Sequence, residues 1–566
     1  MSGPSLAAPE IPPRAHSGWG AALVLCLFFA ALHLPAAASL AGYHGDERFY
    51  TDAALEMALR GEWSLPRYAD GSLRANKPLL TYWSLLVSYG TFGVGVLSSR
   101  LPFLLAMLGA LLLTWRIAWV ATKSRPIALT AALIYGATPA VSSTALRSTP
   151  DALQAFGVAL ALLGLVRLVM EPQARLGALW VWLGAGVTVA SKLSLGFLVA
   201  AFAVVAVLAW GPGSLSPRLR KLFHPLALLP GVAVGLLGTL PMYLVGDGAL
   251  GQAVNDQVAG RMPSGPLWVL GNFLRYAADP VRHFAPFSLL ALAALFFAWR
   301  RRRNAADGPF RATARPPWMP VAIGFLLLLI AIFAVGNLHR ARYLLPAYPM
   351  AALLIAYGLH GALPRVQAFL GAANRWGLGL LAVAALAFVQ YPQVTLFGLA
   401  LVALGLGFDR LARRRSAHVP ALAVTLMLLS SFVVSGVRPA FHETPLEELD
   451  LALAGPPSGV LVLDGAGVGS EDLAAKLRVV SGGRLRAVPH DAERLGLDET
   501  SGDSAGLDHP SVVGSLAWTE RIEASLDGYR LAGTWPDESL RLPFSRSARA
   551  AGAQGRLVGL WTWAPQ

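Results

Sequence analysis

The chain has 566 residues, with Lys and Arg 46 against Asp and Glu 32, a formal net charge of +14, yet 55% of it is hydrophobic and only 14% is charged. Soluble globular domains have about a quarter of their residues charged, and nucleic-acid binders gather Lys and Arg on a solvated face, so a multi-span membrane protein is the class that remains. The single cysteine, Cys26, lies inside the first apolar run, which excludes a disulfide framework and a cysteine-based metal site.

In chain order, thirteen apolar runs approach the roughly 20 residues that a helical span needs. They cover 18–41, 97–121, 124–143, 151–170, 174–191, 193–211, 224–246, 284–300, 317–335, 344–362, 376–390, 393–409 and 418–436. The first ends at a bulky Gly42-Tyr43 pair and reads as a retained span rather than a cleaved signal. Alternate connections hold 19 basic residues, from Arg14 through Lys123, Arg125 and the Arg300 to Arg303 run to Arg415, against the four acids Glu10, Glu171, Asp307 and Asp409. Lys and Arg are retained on the cytoplasmic side, so the N-terminus is expected there and, with an odd number of spans, the C-terminus outside. The outer face then carries 42–96, a large loop at 247–283 and everything after 436.

Residues 1–436 carry 34 basic and 14 acidic residues, whereas 437–566 carry 12 and 18. The tail alternates apolar and polar residues over Gly459 to Asp464, Leu485 to Val488, Tyr529 to Trp535 and Leu557 to Trp563, with a helix-like stretch ending near Arg478. Its Gly465 to Gly469 turn lacks the third glycine of a dinucleotide fingerprint and reads as a plain strand-to-helix turn. The expected architecture is an all-α polytopic membrane bundle of about 13 helices over 1–436, followed by a small soluble α/β domain over 437–566.

Six polar clusters fall at the outer ends of these runs. After Asp46-Glu47, the apolar residues Phe49, Ala53, Ala54, Met57 and Ala58 keep helical spacing until Gly61, which predicts an amphipathic surface helix. The two carboxylates have a plain reading as cap and first-turn charge, which accounts for one comfortably and leaves a catalytic role open for the pair. Lys77, before Tyr82 and Trp83, reads either as a snorkelling lysine with interface anchors or as an anion contact. The others are Arg147 with Asp151, Lys192 in a very short turn, Asp256 with Arg261, and the segment from Asn337 to Pro349 with His339, Arg342 and Tyr343. Each alone suits an ordinary loop. Ionisable groups at membrane depth are costly unless paired or functional, so the set together predicts one cavity, with Tyr50 and Tyr82 on its wall.

In such a cavity Asp46 or Glu47 can accept a proton from an acceptor hydroxyl. Lys77, Lys192, Arg261 and Arg342 can hold a phosphate leaving group, which needs no protonation once cations offset its charge. H-E-x-x-H and P-loop motifs are absent from the sequence, which removes the usual support for metalloprotease and ATPase readings. No metal-ligand cluster stands out, so no cofactor is expected.

Asp46-Glu47 after the first span, Lys77-Pro78 before Tyr82-Trp83, Ser99-Arg100-Leu101-Pro102, Arg147 with Asp151, Ser191-Lys192, and Arg342-Tyr343 with Pro346 and Pro349 occur in an order that resembles the bacterial dolichyl-phosphate-mannose-protein mannosyltransferase-like family. Within it, the pattern is most like the branch that adds aminoarabinose to lipid A. The resemblance covers about 18–436. It implies a GT-C glycosyltransferase fold and a polyprenyl-phosphate sugar donor, used at the outer side of the bacterial inner membrane on a lipid, glycan or protein acceptor. It places Asp46 at the essential acid, Lys77 and Arg261 at the donor phosphate, and Asp151 and Tyr343 on the cavity wall. Lys192 matches a recurrent lysine. The sequence departs from that branch at Phe49 before Tyr50, at Asn76 before Lys77, and at Asp256 where a histidine is usual.

Two rivals follow from the same residues. A polyprenyl-phosphate-sugar flippase would line its pathway with these charges, but inverted repeats and broken helices are not evident in the sequence and the polar residues gather at one end of the spans. A scaffold presenting the tail has no use for Asp46, Lys77 and Asp151.

Overall fold

The computed structural model describes residues 19–40, 45–68, 71, 73–74, 77–171, 176–245, 265–304, 316–360, 364–414, 417–441, 460–463, 470–485, 487–490, 511–515, 529–536 and 557–563. Helix α1 covers Trp19–Ala37, α2 Gly45–Arg60, α3 Leu80–Phe92, α4 Val96–Thr122, α5 Arg125–Gly136, α6 Pro139–Ala145, α7 Pro150–Met170 and α8 Gly177–Lys192. Then come α9 Ser194–Trp210, α10 Leu215–Leu222, α11 Pro225–Val245, α12 Pro266–His283, α13 Phe287–Asn304 and α14 Trp318–Ala334. A 3-10 turn, Ala341–Ala347, leads into α15 Tyr348–His360, followed by α16 Pro364–Leu386, α17 Pro392–Arg414, α18 His418–Ser431, a π-helical turn Phe432–Val437 and the short α19 Arg438–Phe441.

Among the described residues, each of the thirteen apolar runs falls largely on helix. Among the described residues, seven helical stretches are long and apolar enough to cross a membrane: α1, α4, α7, the 3-10 turn with α15, most of α16, α17, and α18 with its π turn. Two helix pairs pass the same test only together and are bent, α5 and α6 at 66° and α10 and α11 at 43°. A straight span was expected over 124–143, whereas the expected span 224–246 falls on α11, with α10 in the connection before it. Pro139 and Pro225 open the second helix of each pair, and a proline cannot donate the backbone bond that would continue the helix before it. The apolar α9 and α14 are 17 residues each. The expected outer loop 247–283 is not loop throughout, because its second half is α12.

Glycines decide how closely the central helices meet. A Cβ on Gly164 would lie 2.4 Å from the Gly177 carbonyl oxygen, and one on Gly184 2.4 Å from that of Gly157, so α7 and α8 touch backbone to backbone. On the other side of α8, a Cβ on Gly186 would lie 2.1 Å from the Gly231 carbonyl oxygen of α11. Because α7 and α8 run antiparallel, this contact brings the first turn of α7, with Asp151, beside the last turn of α8, with Lys192. At the opposite end of the pair, Glu171 accepts from Lys123 and from Arg167, at 3.3 Å for the latter.

In the tail, β1 Val460–Leu463, β2 Ala487–His490, β3 Ser511–Ser515, β4 Tyr529–Pro536 and β5 Leu557–Trp563 form one sheet in the order β2-β1-β3-β5-β4. The first three are mutually parallel, and β5 pairs antiparallel with β3 and β4. The helix α20, Ser470–Val480, lies against α2, where Arg478 pairs with both Asp52 and Glu56. Strand β3 was not anticipated from the sequence. The Gly465 to Gly469 turn lies outside the described residues.

Candidate active site

The site is built on α2, which starts just after α1 and ends where Gly61 takes φ +67°, the left-handed stop expected for it. Glu47 fixes this helix in place. It is 0% exposed and accepts Arg100 Nε at 3.1 Å, Arg100 Nη2 at 3.3 Å and the Ser148 backbone N–H at 3.1 Å. The same Arg100 donates Nη1 to the carbonyls of Ala36, at 3.1 Å, and Ser39, at the C-terminal end of α1 and just beyond it. One buried ion pair thus ties α1, α2, α4 and the turn between α6 and α7. Glu47 was expected to share the catalytic role; sealed from solvent and satisfied on both oxygens, it holds the site together instead.

Asp46, one residue earlier, points the other way and is part-exposed. Its Oδ2 accepts Arg342 Nη2 at 2.7 Å, with Arg340 Nη1 at 3.8 Å. Arg342 then bridges to a second carboxylate, its Nε lying 3.6 Å from Asp151 Oδ2, while Lys192 Nζ donates to Asp151 Oδ1 at 2.7 Å. Lys192 also lies 4.7 Å over the Tyr343 ring, and the charge of Lys77 reaches Asp151. Arg147 stands nearby: burial pulls its guanidinium below the ordinary value, and Arg342 and Arg438 push the same way, while Glu47 and Asp46 oppose them. Among the described residues, five cations therefore stand around Asp46 and Asp151: Lys77, Arg147, Lys192, Arg340 and Arg342. That surplus suits an anionic guest, because each added negative charge relieves cation repulsion.

Behind α2, Arg74 is buried in an aromatic cage. Its Nε donates to the Tyr82 hydroxyl at 3.0 Å and its Nη1 to that of Tyr68, while its guanidinium lies 4.6 Å from the Phe49 ring centroid and 5.0 Å from that of Tyr50. Burial pushes the Tyr50 hydroxyl above its ordinary value, more than the charge of Arg74 lowers it. Tyr50 and Tyr82 were expected on the cavity wall; both are buried and shape the loop that leads to Lys77.

His339 was also expected on the wall. It is instead paired with Asp279 of α12, Nε2 to Oδ2 at 2.8 Å, and packs against Tyr276 with the rings tilted by 57° and their centroids 4.5 Å apart. The structure thus brings together Asp46, Asp151, Lys192, Arg342, Tyr343, Arg147 and Lys77, and places Glu47, Tyr50, Tyr82 and His339 in supporting positions. Asp256 and Arg261 lie outside the described residues. Sequence reasoning assigned no role to Arg74, Arg100 or Arg340, although all three stand in the segments singled out, and it missed α12. There the polar residues Asn272, Tyr276 and Asp279 recur at helical spacing, with apolar residues such as Leu267, Leu270 and Leu274 on the other side, which was the available signal.

Residues 76–244 match the protein family described as dolichyl-phosphate-mannose-protein mannosyltransferase. The chain is 28% identical over 371 residues to an uncharacterized protein of Aquifex aeolicus, covering 62% of this chain and 67% of that one. It is 26% identical over 412 residues to the undecaprenyl phosphate-alpha-4-amino-4-deoxy-L-arabinose arabinosyl transferase of Pseudomonas paraeruginosa, covering 70% and 71%. Among solved structures, ArnT from Cupriavidus metallidurans bound to undecaprenyl phosphate superposes with a TM-score of 0.65 at 19% identity, covering 96% of this chain and 98% of that one. That likeness shows the fold, that of the GT-C membrane glycosyltransferases, and the matched segment and the relatives make the chain similar to the dolichyl-phosphate-mannose-protein mannosyltransferase-like family.

Proposed function

We propose that the protein transfers a sugar from a polyprenyl phosphate to a lipid, glycan or protein acceptor at the outer face of the bacterial inner membrane, with 437–566 folding as a soluble domain on that same side. The observation that carries this reading is the surplus of cations around Asp46. A phosphate ester seated among Lys77, Lys192, Arg340 and Arg342 has its leaving-group charge offset by fixed cations, which lowers the barrier to breaking the sugar–oxygen bond. The same phosphate competes with Asp46 for Arg342, freeing the carboxylate at the moment the donor is in place. Asp46 then accepts the proton of an acceptor hydroxyl; for an acceptor phosphate, already ionised, it orients the nucleophile and balances charge.

The relatives named for undecaprenyl-phosphate aminoarabinose transfer support a polyprenyl-phosphate donor and a lipid A-like acceptor. The excess of Lys and Arg in alternate connections supports a cytoplasmic N-terminus. The test is purified protein in liposomes with radiolabelled undecaprenyl-phosphate aminoarabinose and lipid A. Asp46→Asn and Lys77→Ala are expected to abolish transfer while keeping the wild-type elution profile; full activity in both would sink the site assignment. Sugar moved across the bilayer without transfer would favour the flippase instead.

A further inference from the structure

Arg340 and Arg342 follow a segment, 336–340, that runs between α14 and the 3-10 turn without helix or strand of its own. What holds it is α12, contributed from about 60 residues earlier in the chain. Asn272 Nδ2 donates to the Gly336 carbonyl at 2.6 Å and Trp268 Nε1 to the same oxygen at 3.3 Å. The Tyr276 hydroxyl donates to the Leu338 carbonyl at 3.2 Å and accepts the Arg340 backbone N–H at 3.0 Å. Asp279 accepts His339 on one oxygen and Arg282 on the other, both at 2.8 Å.

These four residues repeat at helical spacing, so one face of α12 is committed to this segment. The opposite face is apolar and open: Leu267 is 83% exposed, and Leu270, Phe273 and Leu274 are exposed with it. A helix with one such face lies in the membrane interface rather than across it, which seats α12 independently of the spans.

We infer that α12 is a bracket, with Tyr276 as its central positioning residue, which sets Arg340 and Arg342 against Asp46 and thereby sets affinity for the donor phosphate. This rests on reading the cation cluster as the donor phosphate site. Tyr276 suits the task because it is fully buried and its one hydroxyl serves two backbone groups on either side of His339. Burial pushes that hydroxyl up to about 12, so it keeps its proton as donor throughout the working range. Buried backbone groups left without partners are expensive, so removing the hydroxyl loosens this segment while leaving the ring packed on His339.

The test is the full-length protein in nanodiscs, wild type beside Tyr276→Phe, read by undecaprenyl phosphate binding and by donor KM and kcat. Tyr276→Phe is expected to weaken undecaprenyl phosphate binding and raise donor KM by about tenfold, with kcat within about twofold of wild type, because ground-state and transition-state phosphate contacts are lost together. Asp279→Asn, which keeps shape and an acceptor for His339, is expected to act in the same direction less strongly, and carries the test if Tyr276→Phe does not fold. Unchanged binding and KM with a lowered melting temperature would overturn the bracket, as would a fall in kcat at constant KM. Wild type that binds undecaprenyl phosphate but transfers no sugar would refute the proposed function while the binding comparison still decides the bracket. Wild type that does not bind it overturns both.

Discussion

Replacing Glu47 by alanine tests whether this carboxylate is structural. The substitution leaves the Arg100 guanidinium buried without the carboxylate that accepts its Nε and Nη2, and removes the acceptor of the Ser148 N–H. Breaking a buried pair by deleting one partner costs about 3–5 kcal/mol, and the stranded N–H adds about 1–3 kcal/mol unless the helix shifts to reach water. The end of α1 would be affected together with the start of α2, since Arg100 also holds the Ala36 and Ser39 carbonyls. Thermal unfolding in detergent, followed by size-exclusion fluorescence, should show a large drop in midpoint for Glu47→Ala. The double variant Glu47→Met with Arg100→Met should recover much of it, because removing both charges leaves no uncompensated ion. The reasoning fails if Glu47→Ala melts with the wild type yet transfers no sugar, for Glu47 would then act on substrate.

Arg74→Lys should lower the unfolding midpoint and activity together, with a loss of about 1–2 kcal/mol measured by denaturant titration, since an ammonium cannot both stack on Phe49 and Tyr50 and fork to Tyr68 and Tyr82. Gly164→Leu should separate α7 from α8 at a cost of about 1–3 kcal/mol or more and draw Asp151 away from Lys192, read as reduced folded yield and a raised donor KM; wild-type yield and KM would contradict the backbone contact. At the other end of α7, burial raises the Glu171 carboxyl, but Lys123 and Arg167 outweigh it and hold it below its ordinary 4.5. Its folded value is depressed, so this stabilisation is present above 4.5 and is lost as pH falls through the folded value. Lys123 is 56% exposed, so Lys123→Ala should cost at most about 0.5 kcal/mol at neutral pH, and the gap from wild type should close in acid; a gap that widens on acidification would refute the pairing.

Much of the architecture was legible because it is written locally. Apolar runs must be helical in lipid, where every backbone group needs an internal partner, and among the described residues each of the thirteen runs falls largely on helix. The stop at Gly61 was equally local, a matter of one residue's backbone freedom. The break within 125–145 was not legible, because hydropathy counts apolar residues and is blind to direction.

The sequence by itself determined the membrane class, the helical runs and the set of residue types able to carry the chemistry. It could not decide which carboxylate of Asp46-Glu47 faces the site, since neighbours on a helix point about 100° apart and only the position of Arg100 says which is sealed. Nor could it join Asp46 to Arg342, 296 residues away, or Tyr276 to Arg340, 64 away. Those pairings exist because glycine-lined helices close to backbone contact and α12 settles on a distant loop. Charge pairing is a property of distance in space, which tertiary packing alone sets.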